Sequence, residues 1–189
     1  MKETVKKSLQ LTDGTVQLRP YRNSDVYHVY DAVVESYSEL TPWMYWCHPE
    51  YNIKETRDWV ASRAEDWERG TEYSFAITDT KKGGFLGGCS IYVHHQFRFA
   101  ELGYWVRTSR TGQGLATAAV NLLVQFGFDE LKLNRIEIVV ATGNEASQRV
   151  AEKAGATREG VLRNRLLVPD KVYDAVMFSL VPKDINPGD

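Results

Sequence analysis

A glycine-containing turn carries the most specific chemistry in this 189-residue sequence. A strand-like run ends at Val106 and leads through a short turn directly into a helical pattern. The first turn of a helix has unpartnered amides at the positive end of the helix dipole, so it can bind an anion such as phosphate. Gly112 and Gly114 allow the backbone to approach a phosphate closely, and Arg107 and Arg110 can add charge at the rim. The alternative is an ordinary glycine-bearing loop.

The glycine spacing argues against two common nucleotide-binding motifs. The dinucleotide fingerprint needs a third glycine, as in GxGxxG, and follows an early strand, whereas four strand-like runs precede this turn. A Walker A motif needs Gly-Lys-Ser/Thr, which the segment Thr111-Gly-Gln-Gly-Leu-Ala116 lacks. A regulatory protein that binds nucleotides through this loop is therefore disfavoured.

A second polar pair begins the next helical segment. Asn144 and Ser147 lie where a buried strand-like run gives way to a helix that Gly155 closes. Asparagine at the N-cap, with serine one turn later, is a common helix-capping arrangement. Taken alone, the pair is explained by capping.

The remaining pattern predicts the elements that position these residues. Strands are predicted over 14–21, 72–78, 85–93, 99–106, 135–141, 160–168 and 172–180, and helices over 26–37, 54–69, 114–128 and 144–154. This order requires a mixed sheet, antiparallel at the front, with a βαβ crossover whose flanking strands are parallel. With no repeats and no flexible linker, residues 1–189 are predicted to form a single α/β (α+β) domain.

Composition narrows the class of protein. A formal net charge of −2 gives no general attraction to nucleic acid or to an anionic membrane. No apolar run has the roughly 18 residues of a membrane helix, and the N-terminus lacks a secretory pattern, so we expect a cytoplasmic protein. Cys47 and Cys89 form no CxxC pair and the histidines lack ligand spacing, so no disulfide or metal is expected.

Together these segments resemble the GCN5-related N-acetyltransferase (GNAT) family. Its Arg/Gln-x-x-Gly-x-Gly/Ala motif appears as Thr111-Gly-Gln-Gly-Leu-Ala116, with threonine at the first position and Arg110 as a substitute for the usual side chain. The resemblance implies a mostly antiparallel mixed sheet with splayed central strands flanked by helices, and acetyl-CoA as cofactor. It places the pyrophosphate on Arg110, Thr111, Gly112, Gln113, Gly114, Leu115 and Ala116.

Several segments resemble the ribosomal-protein N-acetyltransferase (RimJ/RimL-like) branch. They are Leu18-Arg-Pro20, Glu101-Leu-Gly-Tyr-Trp105, the run from Asn144 to Gly155, and Glu159-Gly160. By this likeness Asn144 contacts the pantetheine arm, and Ser147 hydrogen-bonds the coenzyme sulfur and protonates the departing thiolate. Many members use a tyrosine at the position of Ala151 instead. A backbone amide among Tyr104, Trp105 and Val106 polarises the thioester carbonyl.

The resemblance also implies a general base. Glu101 matches the carboxylate that many relatives use, directly or through water, although a solvated carboxylate at a strand end is the alternative. The branch's other proposed base, a glutamate between the last two strands, has no counterpart in Arg163-Asn-Arg-Leu-Leu-Val168. An α-amine tolerates that loss, because about a tenth of it is neutral at pH 7, against under a thousandth for lysine.

The sequence indicates the residues that select the acceptor less specifically than it indicates the coenzyme site. Trp43, Tyr45 and Trp46 either line an apolar groove or a cation-binding pocket, or they cover the core or mediate a homodimer. Asp170 and Asp174 either attract a cationic amine or serve as turn and surface residues. The leading hypothesis is acetyl transfer to a primary amine, a protein N-terminus. The alternatives are acetylation of a small amine (a polyamine, an amino acid or an aminoglycoside) and non-catalytic binding of acyl-CoA.

Overall fold

A computed structural model of the protein describes residues 9–168 and 171–185. The strands are β1 (Leu11–Thr12), β2 (Val16–Pro20), β3 (Glu72–Asp79), β4 (Phe85–His94), β5 (Phe99–Val106), β6 (Arg135–Ala141), β7 (Thr157–Val168) and β8 (Lys171–Leu180). The helices are α1 (Val26–Glu35), α2 (Tyr37–Leu40), α3 (Ile53–Arg69), α4 (Leu115–Asp129), α5 (Glu145–Lys153) and α6 (Pro182–Ile185).

The strands form one mixed sheet in the order β1-β2-β3-β4-β5-β6-β8-β7. Neighbouring strands are antiparallel except β5 and β6, which are parallel and joined by the crossover helix α4. The predicted mixed sheet and crossover are therefore confirmed. The described residues add β1, α2 and α6, which are too short to show an apolar period in the sequence.

The first predicted helix ends earlier than its apolar pattern. Ser36 leaves the helical region, with φ −104° and ψ 13°, and α2 begins at the next residue. The Ser36 hydroxyl is buried and accepts a hydrogen bond of 2.9 Å from the amide of Thr108. The interruption thus connects the first helices to the turn that follows β5.

Apolar residues pack on both faces of the sheet. One cluster joins the buried stripe of α4, which includes Leu123 and Phe126, to strand residues such as Phe75 and Ile138. The other lies beneath α1 and includes Val33. Alternate residues of a strand therefore point to the α4 side or to the α1 side of the sheet. The same alternation decides on which side each side chain of the candidate site lies.

Both cysteines and two of the four histidines pack against other parts of the fold. Cys89 is part of the larger core cluster, and Cys47 is fully buried. His94 stacks on the ring of Phe99 with 4.3 Å between centroids, and His95 lies beside Gly70. Within residues 9–168 and 171–185, no group of three or more His, Cys, Asp or Glu is placed to hold a metal ion. Each helix in the same residues is too short or too polar to span a bilayer.

A buried ion pair fixes the connection from β2 to α1. Both carboxylate oxygens of Asp25 accept hydrogen bonds from Arg19, at 2.7 and 2.8 Å, and one also accepts from the amide of Arg22. Burial alone would raise the pKa of Asp25, but these hydrogen bonds outweigh burial and the pKa lies below its ordinary value. The carboxylate therefore contributes stability above its unfolded pKa of about 3.9, and loses it as pH falls through the lower, folded pKa.

Replacing Asp25 should destabilise the fold in a pH-dependent way. Asp25→Asn leaves the Arg19 guanidinium buried without its counter-ion, so we expect a loss of about 3 kcal/mol at pH 7 in urea denaturation. The difference from the parent protein should shrink when the measurement is repeated at pH values below the ordinary pKa of about 3.9, because the parent carboxylate also loses its charge as pH falls through its lower, folded pKa. Asp58→Asn, which breaks the exposed pair with Lys54, is the control and should cost under about 0.5 kcal/mol. Equal losses in both variants would contradict this account.

Candidate active site

The site is centred on a gap between two parallel strands. The register pairs β5 with β6 only over 99–101 and 135–137. Because the amide of Arg107 donates to Leu86 on β4, alternation along β5 turns the backbone groups of Trp105 toward β4 as well. It turns those of Tyr104 and Val106 toward the gap. The splayed strands that the family resemblance implies are therefore present, and they leave backbone donors and acceptors for a ligand.

The glycine turn lies at the N-terminus of α4, beyond the end of β5. Gly112 and Gly114 have φ of +72° and +76°, a region that favours glycine. Nothing lies within 4 Å of where a Cβ would be at either position. In the described part of the chain, no hydrogen-bond partner is found for the amides from Gly112 to Thr117. An open turn with free amides at a helix N-terminus fits a pyrophosphate.

The two arginines near this turn have different partners. Arg107 hydrogen-bonds Glu35 and Asp31 on α1, and its hydrogen bonds to Glu35 lower the pKa of that carboxyl to about 2. Contrary to the prediction, Arg107 anchors the turn to α1 instead of presenting its charge at the rim. Arg110 remains beside the glycine turn, partly exposed, with Asp79 at 3.4 Å and the side chain of Gln113 at 3.2 Å.

The polar pair at the start of α5 makes a contact that the sequence did not indicate. The Asn144 side chain accepts a hydrogen bond of 3.1 Å from the amide of Ser147, so it caps the helix as predicted. The Tyr104 hydroxyl lies 2.8 Å from the Ser147 hydroxyl and 2.9 Å from its carbonyl oxygen. Burial raises the pKa of Tyr104 to about 12, against the lowering effect of the Ser147 hydrogen bond. The side chain of Tyr104 therefore connects β5 to α5, while its backbone groups face the gap.

A row of polar side chains crosses the opposite face of the sheet. Directly opposed positions on β3, β4, β5, β6 and β8 carry Glu72, Tyr92, Glu101, Glu137 and Ser179. Directly opposed residues point to the same face, and the neighbouring positions in these strands belong to the α4-side core. Glu101 and Glu137 are the last pair before the strands separate, so the row borders the gap.

Arginines neutralise the carboxylates of this row. Arg63 pairs with Glu72 at 2.6 Å, and both side chains are largely buried. Arg135 pairs with Glu137 at 2.7 Å. Glu101 lies 3.1 Å from Arg165, and both of these side chains are more than one-third exposed. Among the described carboxylates of the row, Glu101 is therefore the most accessible to a molecule in the gap.

The three aromatic residues after α2 do not act as a unit. Trp46 packs against the α1-side core, and its ring centroid lies 6.0 Å from that of Trp105. Of the two alternatives, Trp46 therefore covers the core. The ring of Trp43 reaches Tyr173 on β8 at 5.9 Å. Tyr45 is 71% exposed. Trp43 thus reaches β8 on the side of the sheet that carries α1, whereas the Tyr45 side chain is largely exposed to solvent.

Two aspartates, Asp170 and Asp174, lie in the sequence of the last two strands and the turn between them. Asp170 lies outside the described residues. The Asp174 carboxylate accepts a hydrogen bond of 2.8 Å from the amide of Asn164 on β7, which supports the structural alternative for this residue.

Comparison with known proteins agrees with this geometry. The sequence pattern of the acetyltransferase (GNAT) domain family matches residues 15–157. YdaF of Bacillus subtilis, named as a candidate ribosomal N-acetyltransferase, is 28% identical over 176 residues, which cover 89% of this chain and 92% of YdaF. The spermidine N(1)-acetyltransferase of Escherichia coli K12 is 25% identical over 168 residues, which cover 88% and 86% of the two chains.

A solved structure extends the likeness to three dimensions. RimJ of Mycobacterium smegmatis, in complex with CoA-disulfide, matches with a TM-score of 0.81 and 26% identity, over 93% of this chain and 87% of RimJ. The family match covers most of the chain, and the splayed strands and the open glycine turn fit a coenzyme A thioester. The chain belongs to the GNAT family and is an acetyltransferase that uses acetyl-CoA.

Proposed function

We propose that this enzyme acetylates the α-amine of a protein N-terminus, such as that of a ribosomal protein. The observation that carries the proposal is the state of the acceptor-side carboxylates. Glu137 is bound by Arg135, whereas Glu101 is partly exposed at the point where the strands separate. Glu101 is a single accessible base that is already paired with Arg165. Such a base suits an amine with a low pKa, which loses its proton readily.

The acceptor's own acidity supports this choice. An α-amine with a pKa near 8 is about one-tenth neutral at pH 7, whereas a lysine or polyamine nitrogen is neutral in under about one molecule in a thousand. Glu101 can take the proton that the amine releases as its nitrogen attacks, directly or through water. A ribosomal acceptor would place the enzyme in the cytoplasm.

The residues on the other face fit the coenzyme. When bound, acetyl-CoA supplies an activated thioester. The free amides from Gly112 to Thr117 would hold its pyrophosphate, with Arg110 adding charge, and the gap-facing groups of Tyr104 and Val106 would bind near the thioester. Asn144, at the start of α5, would contact the pantetheine arm while it caps the helix.

The same face offers a proton for the departing sulfur. The Ser147 hydroxyl would donate it, and the Tyr104 hydroxyl, 2.8 Å away, would then turn its own proton from the Ser147 carbonyl oxygen to the Ser147 hydroxyl oxygen. Tyr104 then takes the place of the tyrosine that relatives carry where this chain has Ala151, which is fully buried. Tyr104 is a positioning residue that acts through Ser147.

An acceptor competition tests the proposed function. The enzyme and acetyl-CoA are supplied with a peptide that has a free N-terminal serine, the same peptide with a blocked N-terminus and an internal lysine, and spermidine. We expect acetylation of the free α-amine with kcat/KM at least about tenfold above the others, measured by mass spectrometry and thiol release. Preference for spermidine or for lysine would reject the proposal.

A double-mutant cycle tests the Tyr104–Ser147 contact. Ser147→Ala should lower kcat by about 10- to 100-fold, with little change in the KM for acetyl-CoA, because it removes a proton donor and not a binding contact. Tyr104→Phe should lower kcat in the parent and add almost nothing in the Ser147→Ala background, since it acts through Ser147. Tyr73→Phe, in the core, is the control for a lost phenol. Fully additive effects would show that Tyr104 acts independently.

A pair of glycine substitutions tests the phosphate-binding turn. Gly112→Val forces a β-branched residue into positive φ, so the turn must shift and acetyl-CoA affinity should fall by at least about tenfold in calorimetry. Gly14 has φ +85° and equally open space around its Cβ position, but it lies in the β1–β2 turn. Gly14→Val should carry a similar strain and leave affinity unchanged. Undiminished affinity in Gly112→Val would move the pyrophosphate elsewhere.

A further inference from the structure

A bulge in β7 carries an arginine to the border of the gap. The register pairs Leu162 with Ala175 and then Leu166 with Tyr173, so three residues of β7 lie opposite Asp174 alone. Asn164 in this bulge has φ +53°, and its amide is held by the Asp174 carboxylate at 2.8 Å. Bulges re-aim side chains and often lie next to active sites. This one is fastened to β8, and its Arg165 reaches across to Glu101 on β5.

The ion pair that results differs from its neighbours in the row. The guanidinium donates to Glu101 through Nη2 at 3.1 Å, whereas Arg63 and Arg135 bind their carboxylates at 2.6 and 2.7 Å. The side chains of Arg165 and Glu101 are 43% and 37% exposed, against 11% and 12% for Arg63 and Glu72. An exposed ion pair of this kind contributes little to stability. It can therefore open or extend to a third partner at little cost.

The border of the gap thus presents a carboxylate and a guanidinium side by side. An acceptor amine near Glu101 brings a positive charge close to Arg165, which is unfavourable unless a negative charge accompanies it. A polyamine adds further positive charges there. An acceptor with a carboxylate on its first or second residue can pair its amine with Glu101 and its carboxylate with Arg165, because successive residues of an extended chain are about 3.3 Å apart. Arg165 is suited to such a carboxylate because guanidinium binds it through two hydrogen bonds.

We propose that Arg165 determines acceptor specificity by binding a carboxylate in the first two residues of the acceptor, so that the enzyme favours acidic N-terminal sequences. This inference rests on the proposed N-terminal acetylation and adds the acceptor class to it. Arg165 contacts the acceptor beside the reactive amine and takes no part in proton transfer.

Three peptides that differ only at the second residue test the inference. Peptides that begin Ser-Asp, Ser-Asn and Ser-Lys are compared by kcat/KM. In the parent enzyme, Ser-Asp should exceed Ser-Asn by about tenfold, mostly through KM, as expected for a charge-assisted hydrogen bond. Ser-Lys should be the poorest of the three. Arg165→Gln should remove the preference by raising the KM for Ser-Asp alone, and Arg165→Lys should retain part of it.

Arg163→Gln provides the matched control, because it removes an exposed arginine from the same bulge. It should leave the order of the three peptides unchanged. Equal efficiency on all three peptides in the parent enzyme would overturn this inference and leave N-terminal acetylation standing. A uniform loss on all three in Arg165→Gln would also overturn it, since Arg165 would then act on Glu101 and not on the acceptor. If none of the peptides is acetylated while spermidine is, the proposed function fails together with the inference.

Discussion

The pairing of β5 with β6 ends at Glu101 and Glu137, and the candidate site depends on that separation. Two parallel strands joined by α4 would normally satisfy each other's backbone groups along their whole length. Here β5 continues to Val106 with its remaining partner β4 on one side only. The unpaired groups of Tyr104 and Val106 carry an unfavourable free energy if they stay dry, so a ligand with hydrogen-bonding capacity is stabilised in the gap. The amide-rich turn before α4 then lies where the rest of the same ligand can reach it.

The groups that suit the coenzyme and those that suit the acceptor lie on opposite faces of the sheet. On the α4 side lie the free amides of the turn and the Tyr104–Ser147 contact, which suit a phosphate-bearing thioester and its leaving sulfur. The α1 side carries the row of carboxylates, where Glu101 is the accessible member. A donor that enters from one face meets an acceptor from the other only where the strands separate. Alternation along β5 produces this arrangement, because Glu101 and Tyr104 are three residues apart and point to opposite faces.

Local patterns predicted most of the elements, including the helix that begins directly after the glycine turn. The periodicity of α4 and the capping side chain of Asn144 depend on neighbours in sequence, and both are present as predicted. What the sequence could not give were contacts between distant residues. Tyr104 and Ser147 are 43 residues apart, and Glu101 and Arg165 are 64 apart. The sequence likewise does not show that Arg107 is held away from the rim of the turn, because its partners on α1 precede it by more than 70 residues.

Hydrogen exchange with and without acetyl-CoA tests the central claim most directly, because it reports on individual backbone amides. Saturating acetyl-CoA should slow exchange at the amides of residues 112–117 and at Tyr104 and Val106, while the turn around Gly14 should exchange as before. Slowed exchange confined to other parts of the chain, with acetyl-CoA bound, would contradict the claim that the gap between β5 and β6 and the glycine turn hold the coenzyme.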